Sequence, residues 1–492
     1  MINQDYGRRD FLAHLGTGVS GIALSTLMGN RFSLADERVV SSDRPFSPPV
    51  GNPHFKPRAK SVIWIFLVGG MSHLESFDPK PELNKYAGKS ISETPYEDAA
   101  NNPLIRDNLR EFVVGQHKVQ PTIYPLQVGY RACGQSGLLM SDWFQHLPSV
   151  ADELAIVRSM WTTDNDHGAQ LQFHTGRHAL EGQFPTIGSW IRYGLAGLSD
   201  DVPQFVVLGT PLADCCGGTG GHGSNYLGPE FAGVPLSVDR NNPLPYASPG
   251  SSVYHEEQVG NFDLLRSLHR IAQEESVDDA RLRARVASYE LAFRMQSSIP
   301  RLVDVEQETV ATHGLYGVNT APTDTFGRQC LVARRLVETG TRFVQIFHGS
   351  NGGAGAWDAH SNLEKGHREQ IAQIDKPIAG LIADLKRRGL LDETLVVLAT
   401  EFGRTPGAEG ANGRDHHPYG FSIAMAGGGL RKGVVHGATD ELGFHAVEDR
   451  HYVTDVHATV MHLMGLEARR LEIPGRKRLD IDYGNPITAI MS

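Results

Sequence analysis

Six short apolar runs, bounded by turn residues and separated by stretches of helical periodicity, constrain this chain more than any other feature. Val62–Val68, Leu154–Val157, Phe205–Leu208, Phe343–Phe347, Leu395–Ala399 and Phe421–Ala426 are mostly apolar and do not alternate. A strand with one wet face alternates apolar and polar residues, whereas a strand buried on both faces does not. The pattern therefore predicts an α/β fold: a mostly parallel central sheet flanked by helices on both faces. Two segments carry the helical period. Asp279–Gln296 aligns Leu282, Val286, Tyr289 and Phe293, and a stretch from Glu364 to Arg388 aligns Ile371, Ile374, Ile378, Leu381, Ile382 and Leu385. Pro377 lies inside the second and is expected to kink it.

Before the first run the chain changes character. Arg8-Arg9-Asp10-Phe11-Leu12 precedes a weakly apolar stretch to Met28, and Ser33-Leu34-Ala35 follows as a small-x-small cleavage pattern. This resembles a twin-arginine export signal, which predicts the export machinery as a partner and a periplasmic or secreted destination. The glycines in the apolar stretch argue against a stable membrane anchor. Residues 1–35 are thus expected to be a signal, 36–60 a linker and 61–492 one large domain. Within that domain, 209–260 is rich in Gly and Pro and reads as a surface insertion, a candidate lid. The four cysteines form no C-x-x-C pair, so the fold is expected to stand without a disulfide framework. The net charge is −10, and removal of the signal makes it one unit more negative. A chain of that charge lacks the basic face that nucleic-acid binding requires.

Histidine is abundant, at 22 residues, and it is the side chain that ligates transition metals and exchanges protons near neutrality. In open α/β sheets, ligands gather where the strands end. His73, Glu75 and Asp78 follow the first run. Thr163, Asp166 and His167 follow the second, and His348, Asp358 and His360 follow the fourth. Glu401 and Arg404 follow the fifth, and Asp415, His416 and His417 precede the sixth. Any one of these could be a satisfied turn or core residue. Their recurrence at one predicted edge points to a metal site assembled from several strand ends. Asp358, His360, His416 and His417 are the first ligand candidates, with Glu401 and His73 next. Imidazoles mixed with carboxylates suit zinc, manganese or iron better than calcium. The expected cofactor is one or two divalent ions, zinc or manganese.

The strings GGMSHLESFDPKP, HTGRH, YELAFRMQ, WDAHSNL, RGLLDETLVVLATEFGRTP and GRDHHPYGFSIAMAGGG together resemble the domain-of-unknown-function family 1501 (DUF1501), over nearly the whole chain from Lys60 onward. That family resembles the alkaline phosphatase and sulfatase superfamily. The resemblance implies a parallel sheet with metal at its carboxyl edge and hydrolysis of sulfate or phosphate esters, in small molecules or polysaccharides. Several positions depart from the superfamily pattern. Glu401-Phe402 stands where Asp-His is usual, and Cys133-Gly134-Gln135-Ser136-Gly137 lacks the residues of the sulfatase signature. Thr175-Gly176-Arg177 matches the end of that region, which sets Asp166 or His167 near the nucleophile position. The nucleophile is then Thr163, His167 or a water activated by the ion. His167 could equally serve as ligand or general acid, and Arg404 could grip a tetrahedral anion through its planar fork. The alternative on the same fold is a catalytically silent secreted protein that binds metal or ligand.

Overall fold

The computed structural model describes residues 51–101, 119–244, 298–473 and 475–492, with isolated positions between 257 and 296. The twin-arginine segment, the start of the linker and most of the predicted helix Asp279–Gln296 lie outside the described residues. Among the described residues, nine strands form the main sheet: β1 Ser61–Leu67, β2 Leu154–Trp161, β3 Phe205–Leu208, β4 Val234–Leu236, β5 Phe343–His348, β6 Thr394–Ala399, β7 Phe421–Gly427, β8 Val434–His436 and β9 His451–Tyr452. Their order is β8-β2-β7-β6-β1-β5-β3-β4, with β9 also pairing β2. All six apolar runs are strands of this sheet.

Alternate residues of β1 enter separate cores. Ile63, Ile65 and Leu67 pack with Phe326, Cys330 and Leu336 of α3 (Asp324–Glu338) and with Ile371, Ile374 and Leu381 of α4 (Leu363–Arg387). Val62, Trp64 and Phe66 pack instead with Phe173 of α1 (Gly168–Thr175), Trp190 and Ile191 of α2 (Ile187–Gly194), and Val456 and Val460 of α5 (Val453–Leu463). Helices thus cover both faces, which is why β1, β5 and β6 are buried at every position. Helix α4 continues through Pro377 to Arg387. Its Asp375 accepts the backbone N–H groups of Gln145, His146 and Leu147 at 2.7–2.8 Å, so a carboxylate on one helix satisfies the open donors of the short helical turn Leu147–Glu153.

One expectation changes. The segment 209–260 is not wholly a surface excursion. Within 209–244 the chain passes through short helical turns that bury Leu212, Leu227 and Phe231, then contributes β4, the edge strand beside β3. The sheet is mostly parallel, as expected, with one reversed strand among those described: β7 runs antiparallel to both β2 and β6, and the other pairings are parallel. The amino-terminal end of β7 therefore lies at the edge where β2, β5 and β6 end. This brings His416 and His417, which precede β7, to the same edge as residues that follow the other strands.

Among the described residues, no helix is long and apolar enough to cross a membrane. The four cysteines are free.

Candidate metal centre

Four side chains from three chain segments converge at this edge: His167, Asp358, His360 and His416. His167 is the N-cap of α1, just beyond β2. Its loop is held by two local contacts, Asp164 Oδ1 accepting Asp166 N–H and Asp166 Oδ1 accepting His167 N–H. Asp358 and His360 lie on the loop after β5. That loop is anchored by Trp357, which donates its indole N–H to His348 Nδ1 at 3.1 Å and its backbone N–H to Val68 O at 3.2 Å. Burial pushes the His348 imidazole down to about 4, so it stays neutral and able to accept. Gly355, at φ +119°, lets the loop approach β1 because a Cβ there would lie 2.1 Å from Val68 O. His416 comes from a two-residue ladder in which it pairs with Arg404 and His417 pairs with Gly403.

Each of the three imidazoles has its Nδ1 held from behind. His416 Nδ1 donates to Asn165 O at 2.8 Å, His167 Nδ1 to Glu401 Oε1 at 3.2 Å, and His360 Nδ1 to Glu409 Oε2 at 2.5 Å. These contacts set the tautomer that leaves Nε2 with its lone pair. All three Nε2 atoms face Asp358: His360 at 3.1 Å and His416 at 3.3 Å from Oδ1, and His167 at 3.4 Å from Oδ2. His360 and His416 bring their Nε2 atoms within 3.0 Å of each other, and the buried His167 Nε2 has no hydrogen-bond partner among the described residues. Such a group of nitrogens and carboxylate oxygens is stable only when cations are shared among them, protons on the rings or a metal ion that displaces those protons. Spacings of about 3.0–3.4 Å are those of donors bound to one small divalent ion. The residues present therefore fit a metal.

The proton balance follows the same logic. Burial alone would lower the His167 pKa, but its contacts with Asp358 and Glu401 outweigh burial and raise it to about 9. Contact with Asp358 likewise raises His360. Burial, helped by the nearby charges of Arg404 and His167, takes His416 down to about 3. Burial would raise Asp358, yet three imidazoles and Arg404 hold it far below the usual carboxylate range. Phe402 packs its ring 4.4 Å from that of His416 and 5.6 Å from that of His167, forming an apolar wall beside both. One side of the cluster meets solvent, with the His360 side chain 38% and Asp358 19% exposed.

The sequence candidates divide. Glu401 is at the site but is saturated by protein donors: Gly69 N–H at 2.9 Å, Gln170 Nε2 at 3.0 Å, His167 Nδ1 and the Thr400 hydroxyl at 3.0 Å. It orients His167 and is outside the four-residue group, correcting its reading as a ligand. His73 and His417 are also outside that group. Successive residues of a strand point to opposite faces, so His417 turns away from His416. Its Nε2 donates to Phe444 O and His73 Nε2 donates to Gly443 O, and their rings stack 6.3 Å apart. Arg404 does not present a fork to a ligand. It is fully buried, and its N–H groups go to Gly69 O, Gly70 O, Arg414 O, Trp357 O and Asp358 Oδ1. It fastens three loops and neutralises Asp358, which corrects its reading as an anion grip. Thr163 Oγ1 accepts from Gln172 Nε2 at 2.7 Å, and no described contact joins it to the four residues. The residues the sequence reading left without a role are Asn165, Gln170 and Glu409. Only Asn165 carried a usable signal, through its place between Asp164 and Asp166.

A sequence family described as a protein of unknown function, DUF1501, matches residues 59–491. No curated protein matches the chain in sequence. Similar solved structures include a protein in the alkaline phosphatase superfamily from Vibrio parahaemolyticus, 8% identical over 94% of this chain and 79% of that one, with a TM-score of 0.35. The sulfatase PsFucS1 from Pseudoalteromonas sp. is 12% identical over 96% and 76%, with a TM-score of 0.33. An alkaline phosphatase from the Antarctic bacterium TAB5 is 10% identical over 83% and 99%, with a TM-score of 0.31. These likenesses are distant.

Proposed function

The chain belongs to the DUF1501 family, and we propose that it is an exported, divalent-metal-dependent hydrolase of sulfate or phosphate esters on an alkaline phosphatase-like fold. One observation carries the proposal: three imidazoles, each anchored through Nδ1, direct Nε2 at a single carboxylate on a solvent-facing edge. The ligands are His167, Asp358, His360 and His416. Their mixture of nitrogen and carboxylate favours zinc or manganese. When bound, the ion supplies Lewis acidity to the ester and acidifies water.

The chain's own groups do the rest. Glu401 and Gln170 hold His167 in orientation, while Arg404 fixes Asp358 and the Gly69–Gly70 turn against the cluster. Phe402 keeps water from one side of the rings. Water reaches the other side past His360. The engagement of Thr163 with Gln172 favours water over threonine as the attacking group.

Four protein ligands favour a second reading. A tetrahedral zinc site with four protein ligands is closed, and closed sites are structural. A catalytically silent metal-binding protein would have that form. Metal content and turnover separate the two. The protein is loaded in turn with zinc, manganese and calcium and presented with aryl sulfate, phosphate monoester and phosphodiester substrates. Hydrolysis that is lost in His416→Ala together with the metal supports the enzyme. Stoichiometric metal with no hydrolysis of any ester supports the silent protein. Unchanged metal content in both His416→Ala and Asp358→Ala defeats both.

A further inference from the structure

Arg450 immediately precedes β9 and meets no acceptor there. Its Nε is buried without a hydrogen-bond partner, and among the described residues no carboxylate lies within ion-pair distance of it. The carboxylates nearest in sequence are turned elsewhere. Asp449 Oδ2 lies 3.9 Å from His436 Nδ1, and Asp455 accepts His451 Nδ1 at 3.0 Å and the Asn485 N–H at 2.7 Å. Other buried arginines are paired: Arg404 with Asp358, Arg414 with Glu75, and Arg334 with Glu308 and Glu338. A half-buried guanidinium without a partner costs stability unless an anion completes it.

The surroundings of Arg450 connect it to the metal centre. Its guanidinium lies over the Trp161 ring, 4.8 Å from the centroid, and Trp161 meets the Tyr452 ring at 5.0 Å across the β2–β9 pairing. A planar guanidinium supported on an aromatic face keeps its N–H edge available for two parallel bonds to one anion. Both aromatic residues are half-buried, and both are tied to segments that carry the ligands. Thr162, next to Trp161, donates its backbone N–H at 2.9 Å to the carbonyl of Pro418, just beyond His416 and His417. The Tyr452 hydroxyl accepts Gln172 Nε2 at 2.6 Å from α1, the helix that His167 caps.

From this arrangement we infer that Arg450, on its platform of Trp161 and Tyr452, is an anion subsite beside the metal centre. It holds a second anionic group, a carboxylate or sulfate, on the part of the substrate remote from the scissile bond. The inference rests on the hydrolase reading above and names its substrate class: esters that carry a further anionic group.

The test measures binding to the metal-loaded full chain by calorimetry. The probes are alkanesulfonates of graded chain length that end in a carboxylate, each compared with its own methyl ester. The sulfonate stands for the ester group at the metal, and the carboxylate for the second anion. At the length that spans the two positions, the carboxylate should bind about tenfold more tightly than its methyl ester, the scale of one charge-assisted hydrogen bond. In Arg450→Gln that preference should vanish while the methyl esters bind as before, and Arg450→Lys should restore part of it. Arg450→Gln removes an unpaired charge, so its midpoint of denaturant unfolding should hold or rise. Absence of the preference at every length overturns the inference. A preference unchanged in Arg450→Gln assigns the residue to packing and overturns it equally. The hydrolase reading fails separately: no turnover of any ester, with the carboxylate preference present, overturns that reading and leaves Arg450 as the anion site of a binding protein.

Discussion

The two faces of the short ladder made by Gly403–Arg404 and His416–His417 hold their histidines in opposite conditions. On one face His416 meets Asp358, His360 and His167, with Arg404 as its cross-strand neighbour. On the other, His417 and His73 stack, each donating Nε2 to a backbone carbonyl of the 443–444 turn. Both pairs are buried, and burial lowers the pKa of His73, His416 and His417 alike. The difference is which nitrogen is spent. On the first face a backbone carbonyl takes Nδ1 of His416, as carboxylates take those of His167 and His360, and Nε2 is left to converge on Asp358. On the second the backbone takes Nε2, and His73 Nδ1 lies behind Gly403, where a Cβ would come within 2.5 Å of it. The same residue type thus builds the proposed ligand set on one side and a packed, neutral wall on the other. Imidazole identity does not make a metal site; the choice of anchored nitrogen does.

Removing the convergence point gives the largest contrast. Asp358→Ala should abolish stoichiometric metal binding, a loss greater than the roughly 10–100-fold cost of a supporting residue. It also leaves the Arg404 charge buried with one partner fewer. Metal analysis of the purified variant checks this, and retention of the ion would break the comparison at its centre. Glu401→Gln comes next. It weakens the hold on His167 without removing a ligand, so metal affinity or activity should fall by about 10–100-fold, measured by competition with a chelator.

His417→Ala tests the opposite face. Metal content should be unchanged, while loss of a buried hydrogen bond and the orphaning of Phe444 O should cost about 1–3 kcal/mol of stability, read from denaturant unfolding. Loss of metal in this variant would show that the two faces are not independent.

The smallest expected effect is a proton count. Without metal His167 keeps its proton up to about pH 9, so binding an ion near neutrality must displace it. Calorimetry in buffers of different ionisation enthalpy should show net proton release near pH 7.5. The release should fade above the raised pKa, where the ring is already neutral, and apparent affinity should weaken as pH falls. His417, driven well below the ordinary histidine range by burial, contributes no proton. An unchanged release in His417→Ala and a reduced one in Asp358→Asn would sharpen the contrast.

Much of this was legible along the chain. Non-alternating runs such as Val62–Val68 and Leu395–Ala399 are strands because only a sheet covered on both faces can bury them. Asp358, His360, His416 and His167 could be nominated because parallel strands collect their trailing residues at one edge. The limits are just as particular. Leu154–Val157 extends to Trp161, because β9 and β7 supply partners for residues whose composition gave no strand signal. Val234–Leu236 has no signature in a Gly- and Pro-rich stretch, and becomes a strand only because β3 offers an open edge. Glu409 lies in the sequence among glycines and reaches His360 only through folding.

The sequence by itself determined the family, the covered sheet and the residue types gathered at its edge, because burial periodicity and strand polarity are local properties of the chain. The tertiary structure alone decided that β7 runs backward and that His416 faces the cluster while His417 turns from it. It also decided that Arg404 is spent on backbone carbonyls and Asp358, and that Glu401 is engaged by protein donors. Each of these depends on which donor or acceptor from a distant segment arrives opposite a given atom. No spacing along one chain encodes that arrival.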